Sequence, residues 1–322
     1  MTTTAIIPVH NRADLLAQLL DSIASQTVPF SEIIVVDNAS SDGAGDLARM
    51  RGCTVIRQDS NTGFAQAVNI GWRTAKTDWI AILNSDVTLD SGWLEHLLAA
   101  AKDFSFATGT IYDATHREII DGTYDLLSQS GCAWRAGFGE TGAGRNAPLR
   151  IALAPGTACL FRRDVMEQLN GFDESFESYL EDVDLGLRCL REGYGGIYVP
   201  HAIAWHKGSA TLGRWNSRVV RLTSRNQLLL IQRHYDRELF RCCFGRILAG
   251  QLLWGIVALR HGEFFSWLAG KFDGLRAFRL EGTTSPHLRV FLAESELEIR
   301  NRARDPYWRW YFRITNSSGA AH

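Results

Sequence analysis

Thr4-Ala5-Ile6-Ile7-Pro8-Val9-His10-Asn11-Arg12 is a short apolar, β-branched run that breaks into polar residues at His10. Such a run reads as a buried strand. The 13–25 stretch after it carries Leu15, Leu16, Leu19, Leu20 and Ile23 at helical spacing, with Asn11 placed to cap it. The pattern then repeats, with strands expected at 32–36, 54–56 and 79–83 and helices at 41–51, 64–74 and 91–101. Strand–helix alternation predicts an α/β fold: a mostly parallel sheet covered by helices on both faces. Ligands of such sheets sit beyond the C-terminal ends of the strands.

Four polar sets fall there: Pro8-Val9-His10-Asn11-Arg12, Asp37-Asn38-Ala39-Ser40-Ser41-Asp42-Gly43, Asn61-Thr62-Gly63-Phe64 running on to Asn69, and Asn84-Ser85-Asp86. Any one alone reads as turn and helix-cap residues. Together on one edge they offer short hydrogen-bonding groups for a base and a ribose, and a carboxylate for a metal.

These sets, with Gly171-Phe172-Asp173-Glu174-Ser175-Phe176-Glu177-Ser178-Tyr179-Leu180-Glu181-Asp182-Val183-Asp184-Leu185 further on, resemble the ordered motifs of the inverting family 2 glycosyltransferases. The bacterial rhamnosyltransferase-like branch is the nearest, and the resemblance covers about residues 3–235. It implies a GT-A fold and donor contacts from Pro8, Val9, His10, Arg12, Asp37, Asn61, Gly63, Asn69, Asn84, Ser85 and Asp86. Asp37 would accept from the imide N–H of uracil or thymine, with selectivity because a mispaired buried carboxylate is costly. Asp86 matches the second acid of the family's D-x-D metal motif, whereas Asn84 stands in place of the first. A nucleotide diphosphate supplies oxygen ligands of its own, so one protein carboxylate can suffice for Mg²⁺ or Mn²⁺.

His206, in Trp205-His206-Lys207-Gly208-Ser209, matches the family's late metal-binding histidine, and His201 is its rival. Glu181 and Asp182 head a helix expected at 181–192, where negative charge suits the dipole. The resemblance makes Asp182 the general base, with Glu181 beside it. Gly156 after a buried strand reads equally as a turn and as room for a substrate.

The 322 residues are 46% hydrophobic and 21% charged, enough for a sizeable core and too apolar for a disordered chain. The net charge of −1 gives no basic field for nucleic acid. Six cysteines without a C-x-x-C pair read as reduced thiols in a cytoplasmic chain. The start lacks a signal-peptide pattern. Three regions are expected: 1–103 for the nucleotide sugar, 104–212 for acceptor and catalysis with a Gly-rich, mobile stretch over 104–150, and a helical 213–322 ending in a disordered tail from Ser317. Charge is uneven. Residues 1–100 hold six basic against eleven acidic side chains, whereas 214–246 hold eight arginines against two acids.

Arg214, Arg218, Arg221 and Arg225 share one helix face. It reads either as solvated or as turned toward an anionic partner: a diphosphate, a lipid pyrophosphate or a membrane surface. The 13-residue uncharged run 247–259 is short of a bilayer span, so the C-terminal helices read as a peripheral membrane contact or a homodimer contact. The function expected is transfer of one sugar, with dTDP-L-rhamnose as donor, to a glycan or a lipid-linked cell-envelope precursor. UDP-hexose or UDP-N-acetylhexosamine donors are alternatives, as is a catalytically inactive nucleotide-sugar-binding module. A sugar-1-phosphate nucleotidyltransferase ranks behind them for want of a Gly-rich triphosphate loop.

Overall fold

A computed structural model of the chain describes residues 1–142, 147–208, 215–276, 278–283 and 285–317. The first hundred residues alternate as expected: β1 (Thr3–Val9), α1 (Ala13–Ala24), β2 (Glu32–Asp37), α2 (Ala44–Met50), β3 (Thr54–Arg57), α3 (Phe64–Thr74), β4 (Trp79–Leu83), the short β5 (Val87–Leu89) and α4 (Trp93–Ala100). β1 pairs in parallel with β2 and β4, and β2 with β3. β1 and β4 are buried along their whole length, so their apolar runs are unbroken rather than alternating. Ile7, Val35, Leu16, Leu19, Trp93 and Leu97 belong to the core beneath them.

α1 is not capped by Asn11, which has φ 61° and accepts from Ser41 N–H (2.9 Å). Asp42 takes that role from the next loop, accepting the Ala13 N–H at 2.8 Å.

Beyond α4 the sheet turns mixed. β6 (Phe106–Asp113) carries β7 (Ile120–Gly122) antiparallel on one end, and β11 (Ala158–Arg162) runs antiparallel between β4 and β6. β12 (Gly196–His206) lies parallel to β6 and antiparallel to β5 and to β10 (Leu149–Ile151). A bulge in β12 between Val199 and Ile203 shifts its register on β6. Gly109 makes room for it, since a Cβ there would lie 1.7 Å from the Ala202 carbonyl. The re-aimed strand ends with His206 opposite Val87, four residues past the β4 terminus. Bulges of this kind redirect side chains at sites.

The chain divides into two compact units: Met1–Tyr124 with Gly137–Thr211, and Asp125–Ala136 with Leu212–His322. The expected three-way division has no place for 125–136, which leaves the first unit and forms the hairpin β8 (Asp125–Leu127)–β9 (Ala133–Arg135) in the second. The second unit is otherwise helical: α7 (Ser217–His234), α8 (Arg237–Arg260), α9 (Phe264–Arg276), α10 (Pro286–Arg302) and α11 (Pro306–Ser317). α11 covers ground read as the end of the helical region and the start of a tail. Arg214 and Gly144 lie outside the described residues, as do the tail's last five.

Two of the four arginines of the α7 face have partners inside the second unit. Arg221 pairs with Asp273 of α9 (2.7 Å), Arg225 donates to Asn226, and Arg218 is exposed. α8, at 24 residues, is long and apolar enough to cross a membrane by length and composition, which the 13-residue count missed. It buries Cys243, Ile247, Gly250, Gln251 and Ala258.

Lys271 of α9 is buried in this unit. Its ammonium donates to Ser224 O (2.7 Å), Gln227 Oε1 (2.9 Å) and Gln251 Oε1, all neutral acceptors. Burial lowers its pKa from 10.5 to about 7. Between those values the unfolded chain binds a proton that the folded chain has released, so stability rises with pH across the window. Lys271→Met removes that dependence. From pH 7 to 9 the wild type should gain about 2–3 kcal/mol relative to the variant, read from the difference of their denaturant unfolding curves at each pH. A parallel pair of curves would show Lys271 to be titrating normally.

Candidate functional site

The loops after β1 and β2 and the segment that leads into α6 (Glu181–Arg191) are latched to one another by short polar contacts. His10 Nδ1 lies 2.7 Å from the Asn38 carbonyl, and Asn11 N–H donates to Ser40 Oγ (2.9 Å). Asn38 in turn donates to the Gly63 carbonyl (3.1 Å) and accepts from Thr62 Oγ1 (3.2 Å). Asn61, exposed, accepts from Gly63 N–H. Gly63 has φ 89°, and a Cβ on it would stand 2.7 Å from the Glu177 carbonyl, so only glycine fits. Phe64 N–H then donates to Ser178 Oγ (3.1 Å) and Ala65 N–H to Glu177 O (3.0 Å). The third polar set therefore abuts the segment leading into α6 (Glu181–Arg191).

Pro8 and Val9 are the buried last residues of β1, in register with Val36 and Asp37. Arg12, at φ 64°, forks onto Asp14 (3.0 Å for both bonds), and its guanidinium pKa is raised first by that bond, with Asp86 among the charges that add to it.

Two expected donor contacts sit differently. Asn69 is 0% exposed and uses all four of its hydrogen-bonding positions inside the protein. It donates to Phe172 O and Glu174 Oε1 and accepts from Phe172 N–H and Trp72 Nε1–H, each at 2.9 Å. It is a clasp between α3 and the 171–174 turn, with nothing left for a ligand. Asp37 is also 0% exposed, its carboxylate accepting from Ser40 N–H (2.8 Å) and Arg57 (2.7 Å) while Gly45 packs against it. In this arrangement Asp37 does not meet a base directly, and half-exposed Arg57 is the partner that would have to move off.

Asn84, Ser85 and Asp86 are half-buried after β4. Asp86 Oδ1 stands 3.3 Å from His206 Nε2, and His206 Nδ1 stands 2.9 Å from Asp121 Oδ2 on β7. Burial would push the His206 pKa down, but the carboxylates of Asp121 and Asp86 on its two nitrogens outweigh it and hold it up at about 9. His201 is exposed on the bulge, with His96 bonded to its carbonyl, so His206 is the histidine beside Asp86. Asp121 escaped the sequence reading; with Asp125 it is one of two acids in the stretch 119–127, and no spacing marks it out.

Among the described residues no three His, Cys, Asp or Glu converge as a metal site. The imidazole explains this: its nitrogens point apart, so Asp86 and Asp121 lie on opposite sides of the ring. Asp86 and Nε2 still fit one cation between them, for 3.3 Å is close to the ~3 Å edge of an octahedron with bonds of about 2.1 Å. Asp121 on the far nitrogen stands where a carboxylate would orient the ring of a metal-bound histidine.

Asp182, in the first turn of α6, accepts the Gly156 N–H on Oδ2 and the Val183 N–H on Oδ1, both at 2.8 Å. Glu181 before it is buried. Glu177, Tyr179 and Leu180, just upstream, have φ of 59°, 73° and 68°, a left-handed cluster that costs of order 1–3 kcal/mol per residue and persists only where surroundings enforce it. Asn84 N–H donates to the Thr157 carbonyl (2.9 Å), next to Gly156. One short path thus joins the Asp86 loop to Asp182. A cavity of about 590 Å³ lined by Met1, Lys76, Asp78, Lys102 and Arg162 lies at the opposite edge, where β1 and β4 begin, and takes no part in this site.

The model of the family described as "Glycosyl transferase family 2" matches residues 4–169. The pre-mycofactocin glycosyltransferase of Mycobacterium tuberculosis is 30% identical over 224 residues, 67% of this chain and 44% of that protein, so this chain spans less than half of that relative's length. The N-acetylglucosaminyl-diphospho-decaprenol L-rhamnosyltransferase of the same organism is 28% identical over 66% of this chain and 79% of its own. Among solved structures, GalNAc-T7 with UDP, GalNAc and Mn²⁺ superposes with a TM-score of 0.66 at 16% identity, covering 93% of this chain and 58% of that one. At that identity the likeness speaks for the fold, which is GT-A with a helical C-terminal region.

Proposed function

Because this chain belongs to glycosyl transferase family 2, in its rhamnosyltransferase-like branch, we propose that it transfers one sugar from a nucleoside diphosphate donor to an acceptor hydroxyl with inversion. The observation that carries this reading is the pairing of Asp86–His206 with Asp182 across the Asn84–Thr157 link. Asp182 takes the proton of the acceptor hydroxyl as its oxygen attacks the anomeric carbon. The attack comes from the face opposite the nucleoside diphosphate, whose bond to that carbon breaks. Asp86 and His206 would hold Mg²⁺ or Mn²⁺. When bound, the cation supplies charge neutralisation for the departing diphosphate. Asp121 keeps the His206 ring aimed at it. Glu181 sits beside the base.

The donor is dTDP-L-rhamnose and the acceptor a lipid-linked cell-envelope saccharide, in keeping with the decaprenyl-linked substrate in the name of the mycobacterial relative. A cytoplasmic chain working at the inner face of the membrane suits such an acceptor. A UDP-sugar donor is the second reading, supported by the UDP in the structural neighbour.

Titration with UDP-, GDP- and dTDP-sugars, with Mn²⁺ or EDTA, tests this. Metal-dependent binding or slow hydrolysis of a uracil or thymine donor is expected, with GDP-sugars silent. A response to GDP-sugars alone would overturn the base selectivity, and binding without any hydrolysis or transfer would favour an inactive binding module.

A further inference from the structure

α8 presents Phe244, Leu248, Leu252, Ile256 and Leu259 on one side, each at least half exposed. The spacing is that of a single helix face, and at 1.5 Å per residue the stripe is about 22 Å long. α9, packed on α8 where Gly255 meets the Trp267 ring, exposes Phe265, Leu268, Phe272 and Leu275. Soluble proteins rarely leave so much contiguous apolar surface without a partner.

Charge decides what that partner is. Arg237 and Arg241 lie at the start of the α8 stripe, Arg260 at its end and Arg276 at the end of α9. All four are exposed, and none pairs with a carboxylate among the described residues. The acids of the two helices are paired, Glu238 with Arg289 and Asp273 with Arg221, and Glu263 between the helices accepts from Ser217 and Ser266. An apolar stripe bounded at both ends by uncompensated arginines matches the boundary between anionic headgroups and acyl chains. A second copy is a poor match, because a two-fold pairing of the stripes would set arginines against arginines.

The opposite side of α8 is committed to its own unit. Gln251 there accepts from Lys271 and donates to the Ser130 carbonyl, and Trp254 donates to Ser224. One face only is available to lipid, so the helix lies along the surface rather than through it.

We propose that the exposed face of α8, extended by that of α9, docks the chain on an anionic bilayer surface. This sharpens the membrane placement given above, names the contact residues, and uses none of the residues of the candidate site.

The test is flotation of the full chain with vesicles of phosphatidylcholine alone and with vesicles that include phosphatidylglycerol, at low and high salt. Binding to the anionic vesicles should exceed that to the neutral ones by at least about ten-fold at low salt and weaken in high salt. Leu252→Glu with Ile256→Glu should abolish flotation with unchanged melting temperature and donor hydrolysis, since both residues already face solvent. Arg241→Glu with Arg260→Glu should erase the preference for phosphatidylglycerol. Absence of binding by the wild type, or binding that survives the Leu252/Ile256 change, would overturn the proposal. So would a dimer, seen by light scattering, that does not float and that the same change splits. Loss of donor hydrolysis in the wild type would instead count against the transferase reading alone.

Discussion

Asp182→Asn is expected to hold donor affinity within a few-fold and to cut sugar transfer by about 10²-fold or more. Asn keeps the size of the side chain but cannot take up the acceptor's proton. The substitution is not silent locally. Asp182 accepts two backbone N–H groups, from Gly156 and Val183, and an amide has one oxygen to offer, so one donor is left facing another. That costs about 1–3 kcal/mol, and the melting temperature of the variant should fall accordingly. Transfer rates at saturating donor and acceptor, measured well below that temperature, separate chemistry from stability. Wild-type turnover in a folded variant would remove Asp182 from the reaction.

The second large effect concerns the cation. Asp86→Ala should weaken binding of UDP or dTDP in Mn²⁺ by at least about ten-fold, the scale on which even outer partners of metal ligands act. It should also erase the difference between titrations with Mn²⁺ and with EDTA. His206→Ala should do the same, because its Nε2 is the atom facing Asp86. His201→Ala should change nothing, as that side chain is exposed on the β12 bulge. An unaltered metal effect in Asp86→Ala would place the cation elsewhere, and a loss in His201→Ala would reverse the choice between the histidines.

The parallel half of the sheet was legible because β1 and β4 are buried along their whole length and β2 over its last four residues, which leaves unbroken apolar runs such as Ile6–Ile7 and Ile34–Val36. Asp86 and Asp182 stood out as candidates because each lies in a stretch that resembles a family motif, after a strand or at the head of a helix. Asp121 could not, since β7 is three residues long and its meeting with His206 depends on the β12 bulge, a tertiary event without local pattern. Asn69 misled for a related reason: a motif asparagine looks the same in sequence whether it faces a ligand or, as here, four protein groups. The hairpin of 125–136 joins the helical unit through pairings far apart along the chain, beyond the reach of local periodicity.

The Asn69 clasp also bears on how this protein can change over evolutionary time. Three of its four bonds tie α3, in the first hundred residues, to the turn at Phe172 and Glu174, and Gly171 at φ 66° lies so close that a Cβ would overlap the amide. Residues in one such network do not vary independently. Exchanging residues 1–103 with the matching part of a relative, to borrow its donor preference, would bring a foreign α3 against a turn shaped for this one. Residues 1–103 and the segment around 171–174 are therefore not interchangeable cassettes. A recombinant would have to carry Asn69, Gly171 and Glu174 as one inherited set, and a productive crossover would fall where it leaves that trio intact.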